Sequence, residues 1–182
     1  MKLDKQNNST DTAREGSRVA QAVGVGLLVA SSVAASAAER TTVSVVETVQ
    51  LASAPGKTWA TINDFATWQA WHPAFAATDM VRGDGHSQGS VRVLMTKDGG
   101  KFTEELVAYN AGSRSYQYRI IESPAPVADY VSTIEVKQTH AGSTVVWSSN
   151  FNVKAGTSEA DAKKLISGVY RAGLDNLATV LK

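Results

Sequence analysis

Glycine-bearing turn clusters punctuate the middle and end of this chain: GDGHSQG at 83–89, KDGG at 97–100, NAGS at 110–113 and HAGS at 140–143. Between them lie SVRVLMT, KFTEELVAYN, SYQYRIIE, DYVSTIEVKQT and STVVWSSNFNV, rich in β-branched and aromatic residues. Short strands separated by turns of this kind fold as antiparallel hairpins. The chain then closes on residues 158–181, where Ala162, Leu165, Ile166, Val169, Gly173, Leu177 and Val180 recur near a 3.6-residue period. That helix is roughly 36 Å long. No other segment is large enough to cover such a sheet, so the expected architecture is α+β: a curved antiparallel sheet wrapped on one C-terminal helix.

Residues 42–51 (TVSVVETVQL) alternate Val43, Val45, Val49 and Leu51 on one side, as a half-buried strand does, and carry Glu47 inward with them. Ser53 is placed to cap a following helix with Pro55 in its first turn. A second short helix is expected to stop at Pro73, because the residue before a proline is pushed out of helical geometry. Three of the four tryptophans, Trp59, Trp68 and Trp71, cluster around this helical pair. Their rings are expected to fill its junction with the sheet or to rim a cavity.

Hairpin parity assigns faces to the later strands. A two-residue turn at Ala141-Gly142 sets Val136 opposite Trp147 and Ile134 opposite Ser149. A four-residue loop over 97–100 sets Val93 opposite Glu104, Met95 opposite Phe102, and Arg92 with Glu105 on the outer face. Glu104 is then carried inward among Val91, Val93, Met95 and Phe102, unless the register slips by one and returns it to water. A buried carboxylate needs partners or a proton; those on offer are Tyr116, Tyr118, Tyr130, Ser132, Ser149 and Glu47. His72, held stiffly between Trp71 and Pro73, either points into the cavity mouth or bonds the backbone of its loop. Gly173 interrupts a good helix, either for close packing on the sheet or to leave room for a ligand.

The first forty of the 182 residues differ from the rest. A polar start of mixed charge leads into VAQAVGVGLLVASSVAASAAER, an apolar run that ends on small residues, with Ala35-Ser36-Ala37 as a cleavage site. Residues 1–37 are therefore expected to be a cleavable secretory signal peptide, and 38–182 an exported, periplasmic domain. An uncleaved anchor and a floppy tail are the alternatives; against the anchor, a spanning helix wants about 20 strongly apolar residues. From Ala38 onward the chain has 14 Lys and Arg against 14 Asp and Glu. A neutral surface argues against nucleic acid, which needs a basic face, and against an anionic membrane. Without cysteine, stability rests on burial alone. The three histidines lack metal-ligand spacing, the 83–89 loop joins two strands rather than opening a helix, and no serine sits in a nucleophile elbow, so no metal or cofactor is expected.

APGKTWATINDFATWQAWHPAF resembles the opening motif of the SRPBCC superfamily, the START and Bet v 1 helix-grip proteins, in its polyketide cyclase/dehydrase-like branch. GSVRVLMTKDGGKFTEELVAYN, YQYRIIESPAPVADYVSTIEV and GVYRAGLDNL continue the match from about Thr42 onward. The resemblance implies a seven-stranded sheet gripping the long helix around a cavity for apolar or amphipathic small molecules. It also implies that Glu104 and Tyr130 correspond to pocket positions of the abscisic-acid receptors, with the 97–100 turn and the 123–126 loop in the places of their gate and latch. The receptors' acid-binding lysine falls at Pro73 here, and the gate sequence is replaced by a glycine turn. Exported members of this size resemble MxaD-type accessory proteins of methanol oxidation.

The expected ligand-contacting set is Glu47, Trp71, His72, Val93, Met95, Glu104, Tyr118, Tyr130, Ser132, Trp147, Ser149, Val169 and Gly173. Three functions fit: binding or carrying a small hydrophobic or amphipathic molecule, an accessory role beside a periplasmic oxidation enzyme, or cyclase/dehydratase-like catalysis by Glu104 with His72 or Tyr130.

Overall fold

The structure, a computed structural model, describes residues 42–182; the expected leader lies outside the described residues. The elements run β1 (Val43–Leu51), α1 (Pro55–Ile62), a 3-10 turn over Trp68–Ala70, then β2 (Phe75–Arg82), β3 (Val91–Thr96), β4 (Lys101–Asn110), β5 (Ser115–Glu122), β6 (Val127–Thr139), β7 (Gly142–Val153) and α2 (Glu159–Val180). All seven strands form one antiparallel sheet in the order β1-β7-β6-β5-β4-β3-β2. The α+β helix-grip expectation is thereby met. The second of the two expected helices is only a single 3-10 turn, and Ala54 rather than Ser53 occupies the cap of α1, without a side-chain bond.

Curvature comes from irregular pairing. Bulges interrupt β2 against β3, β4 against β5 at Thr103/Glu104 and Leu106/Ala108, and β6 against β7 between Ala128 and Val131. Each extra residue bends its strand and increases the local twist, so the sheet cups α2 instead of lying flat beneath it. At the β6 bulge Asp129 takes a left-handed backbone with φ of 52°.

Two registers differ from those expected. The β6–β7 turn lies at His140-Ala141, so Ile134 opposes Trp147 and Val136 opposes Val145. That shift of two residues leaves every side chain on its expected face. The β3–β4 pairing instead slips by one: Arg92 opposes Glu104, Val93 opposes Thr103 and Leu94 opposes Phe102. Arg92 and Leu94 therefore turn inward and are buried, while Val93 and Met95 pass to the other face and are half-buried. Glu105 stays outside, paired with Arg119 at 2.5 Å and Arg82 at 3.4 Å.

Helix α2 begins with Ser158 accepting from the Asp161 amide at 3.1 Å, and Glu159 and Asp161 sit in its first turn, where the helix dipole favours negative charge. Its buried face is Ala162, Ile166, Tyr170, Gly173, Leu174 and Leu177; Leu165 and Val180, expected inside, are exposed. Polar ties fix its position. Glu47 on the edge strand β1 meets Ser167 and Arg171, His72 Nε2 bonds the Val169 carbonyl at 3.0 Å, and Asn176 Nδ2 donates to the Trp71 carbonyl at 2.7 Å.

Gly173 lies where His72 presses against the helix. A Cβ added there would stand 2.5 Å from His72 Cδ2 and 3.0 Å from the Trp147 ring, so the glycine serves close packing. Gly173→Ala gains about 1 kcal/mol of helix propensity but forces two buried rings to move, which costs typically 1–3 kcal/mol. Urea unfolding is expected to show net destabilisation; a stabilised variant would contradict this packing.

Candidate functional site

A fully buried arginine is the organising feature of the interior. Arg92 donates from Nε and Nη2 to Glu104 Oε2 at 2.9 and 2.6 Å, and from Nη1 to the Phe65 carbonyl at 2.7 Å. Its guanidinium lies 3.7 Å from the ring centroids of both Phe65 and Trp68. A planar, weakly hydrated cation suits such a slot better than an ammonium would. Burial pushes the Glu104 carboxyl upward, and the adjacent Arg92 holds it back. The pair is ionised, since a neutral acid would leave the buried arginine uncompensated.

Beyond the pair lies a cluster of hydroxyls whose hydrogen directions are forced. Ser132 donates its single proton to the Ser148 carbonyl at 2.8 Å. Tyr170, 3.0 Å from Ser132 Oγ, must then donate to it, and Tyr130 must donate to Tyr170. The Trp147 indole N–H is shared between Tyr118 at 3.1 Å and Ser132 at 3.0 Å. The Tyr118 hydroxyl also interacts with Tyr130 and Ser132 and so joins the same cluster. Burial keeps Tyr118, Tyr130 and Tyr170 well above the ordinary phenol range, so all three stay protonated.

The space between sheet and helix is small inside and wide at its mouth. An inner chamber of about 70 Å³ is walled by Trp68, Phe75, Phe102, Glu104, Tyr118, Ile120, Tyr130, Trp147, Ile166, Val169 and Tyr170. Ala74, Thr96, Phe102, Ile166 and Val169 also border a vestibule of about 530 Å³, completed by the 97–100 turn, Pro124, Ala125, Pro126 and Leu165. The Lys97 amide bonds the Ala74 carbonyl at 3.0 Å, and Lys154 Nζ bonds the Ala125 carbonyl at 3.0 Å, which ties down both loops.

Of the expected contact residues, Glu104, Tyr118, Tyr130, Trp147 and Val169 border the chamber. Val93 and Met95 do not, because the one-residue register slip turns them to the opposite face. Glu47 is engaged by α2, Trp71 and Gly173 are packed in the core, and Ser132 and Ser149 stand behind the tyrosines without bordering the chamber. His72 does not reach it either. Its Nε2 faces the Val169 carbonyl, its Nδ1 accepts from the Ala74 amide at 3.2 Å, and the ring lies parallel to Trp68. Sequence reasoning missed Arg92, Phe65, Tyr170 and Phe75. The available signal was Glu104 itself: an inward carboxylate calls for a cation, and Arg92 is in the neighbouring strand.

The geometry defines a helix-grip protein with an interior chamber opening on an apolar mouth, of the Bet v 1-like SRPBCC superfamily. A family model described as polyketide cyclase / dehydrase and lipid transport matches residues 42–182, and the chain belongs to that family. Among solved structures, the protein XoxI from Bacillus cereus is 30% identical, with 76% of this chain and 95% of that one covered and a TM-score of 0.71. A protein from Nitrosospira multiformis is 25% identical over 76% of this chain and 96% of its own, with a TM-score of 0.67. Ara h 8.0201, 14% identical, covers 78% of this chain and 98% of its own at a TM-score of 0.65, a likeness of fold alone. No curated protein matches in sequence.

Two predictions follow the chemistry of the buried groups. Arg92→Met leaves Glu104 without its counter-ion and is expected to cost about 3–5 kcal/mol, whereas Arg92→Met combined with Glu104→Leu should recover most of that loss. Additive losses in a double-mutant cycle would contradict the pairing. His72 is held neutral, its pKa lowered from 6.5 to about 4, chiefly by burial against the bond to Val169. The unfolded chain therefore binds the extra proton first, and stability should fall by roughly 3 kcal/mol as pH drops from about 6.5 to about 4. Urea titrations of wild type and His72→Gln across that window should show this slope lost in the variant.

Proposed function

We propose that this chain binds or carries a small, largely apolar or amphipathic molecule between the sheet and α2, and that it does so in the periplasm after export. The observation that carries the reading is the mostly apolar vestibule of about 530 Å³, which shares Phe102, Ile166 and Val169 with a chamber walled by Glu104 and three tyrosines. Its volume lies within the roughly 300–1,000 Å³ of small-molecule sites, and few, fixed polar groups on an apolar wall are their usual composition. Family membership supports the same class of ligand. Export is supported by the apolar, small-residue run that ends at Ala37. Among the described residues no helix is long and apolar enough to cross a membrane.

A second reading, an accessory factor of the MxaD kind for a periplasmic oxidation system, is favoured by how little room the inner chamber holds, about 70 Å³. It predicts a co-purifying oxidation enzyme. Catalysis of the cyclase or dehydratase type has less support, because both ring nitrogens of His72 are engaged, Tyr130 donates to Tyr170, and Glu104 is held by Arg92.

Native mass spectrometry of protein taken from its own compartment tests the binding reading directly: a retained small-molecule adduct is expected. Leu165, exposed on the vestibule wall, offers a tolerant site for a matching variant. Leu165→Glu puts a charge on an apolar wall and should weaken uptake of an apolar fluorescent probe by about tenfold or more, with little change in unfolding free energy. Unchanged uptake would place the ligand elsewhere.

A further inference from the structure

The chamber is built for one polar group in particular. Arg92 Nε and Nη2 both donate to Glu104 Oε2, and Oε1 accepts no hydrogen bond from the described residues, although the residue is 4% exposed and borders the chamber. An ionised carboxylate oxygen in an apolar enclosure is strongly favoured to accept a donor, and a bond to a charged group discriminates more than one between neutral groups. The nearby Tyr118 hydroxyl is already engaged within the cluster, with Tyr130 and Ser132, so Oε1 is the polar atom left for a ligand.

Charge narrows the choice further. Arg92 and Glu104 cancel one another, so the chamber offers no net charge to an ionic ligand. A carboxylate entering it would meet Oε1 as a like charge. An ammonium would lose its hydration to a site whose acid is already matched by Arg92. A ketone or an ether could only accept, and would leave Oε1 without a donor. A hydroxyl both donates and accepts.

We propose that the chamber recognises the hydroxyl end of a neutral, otherwise apolar alcohol. The hydroxyl donates to Glu104 Oε1, and the apolar body passes Phe102 and Val169 into the vestibule. This rests on the binding reading above and adds the chemical class of the ligand.

The test is a chain-length-matched series, 1-octanol, octan-2-one, octanoate and octylammonium, titrated into the purified protein at pH 7 with tryptophan fluorescence and calorimetry as readouts. Octanol is expected to bind at least about tenfold more tightly than octan-2-one, with both ions weaker still. Equal or tighter binding of the ketone or of octanoate to the wild type would overturn the alcohol assignment and leave the carrier reading standing. Failure of all four to bind would overturn both.

Discussion

Arg92 is the constraint on which the interior depends. A guanidinium removed from water needs its charge balanced, its donors filled and its faces covered, and the chain meets each need from a different part of the sequence. Glu104 supplies the charge, the Phe65 carbonyl takes a further donor, and the Phe65 and Trp68 rings close over the two faces. The segment between α1 and β2 is thereby locked onto strands β3 and β4. Trp68 in turn donates to Tyr116 at 3.0 Å and packs edge-on against Tyr118 and Trp147. One buried ion pair thus sets the positions of most of the aromatic core.

Helix α2 completes the enclosure from the other side. Tyr170 stacks on Trp147 with ring centroids 4.2 Å apart and receives the Tyr130 proton, while Gly173 lets His72 and Trp147 approach the backbone. Close packing at the Gly173 end and looser packing near Ile166 and Val169 together produce a chamber at one place along the helix. The bulges matter here as well. They bend the strands around α2, so the remaining room is a small volume near Glu104 and a wider one near the two loops.

Much of this was legible in the residues. Six of the seven strands, the terminal helix and the inward direction of Glu104, Trp147, Tyr118 and Tyr130 follow from period-two and 3.6 patterns with recognisable turns, whereas β2 (FAATDMVR) was not marked out by its residues and a seventh strand came only from the family resemblance. The β6–β7 register was displaced without consequence, because a shift of two preserves faces. The β3–β4 register was not so forgiving. SVRVLMT has apolar residues in both phases, Val91, Val93 and Met95 in one and Leu94 in the other, so alternation alone could not say whether Arg92 faced in or out. On α2 the same ambiguity hid Tyr170 and Leu174 and promoted Leu165 and Val180.

By itself the sequence determined the kind of fold, its order of elements and the acid that would face inward, because local periodicity and turn chemistry act over a few residues and survive any global arrangement. Tertiary structure alone decided which cation met that acid, where His72 pointed and how much room was left. Those outcomes depend on a one-residue register between neighbouring strands and on the fit of α2 against rings drawn from distant segments. Such energies belong to pairs of segments and cannot be read from either one.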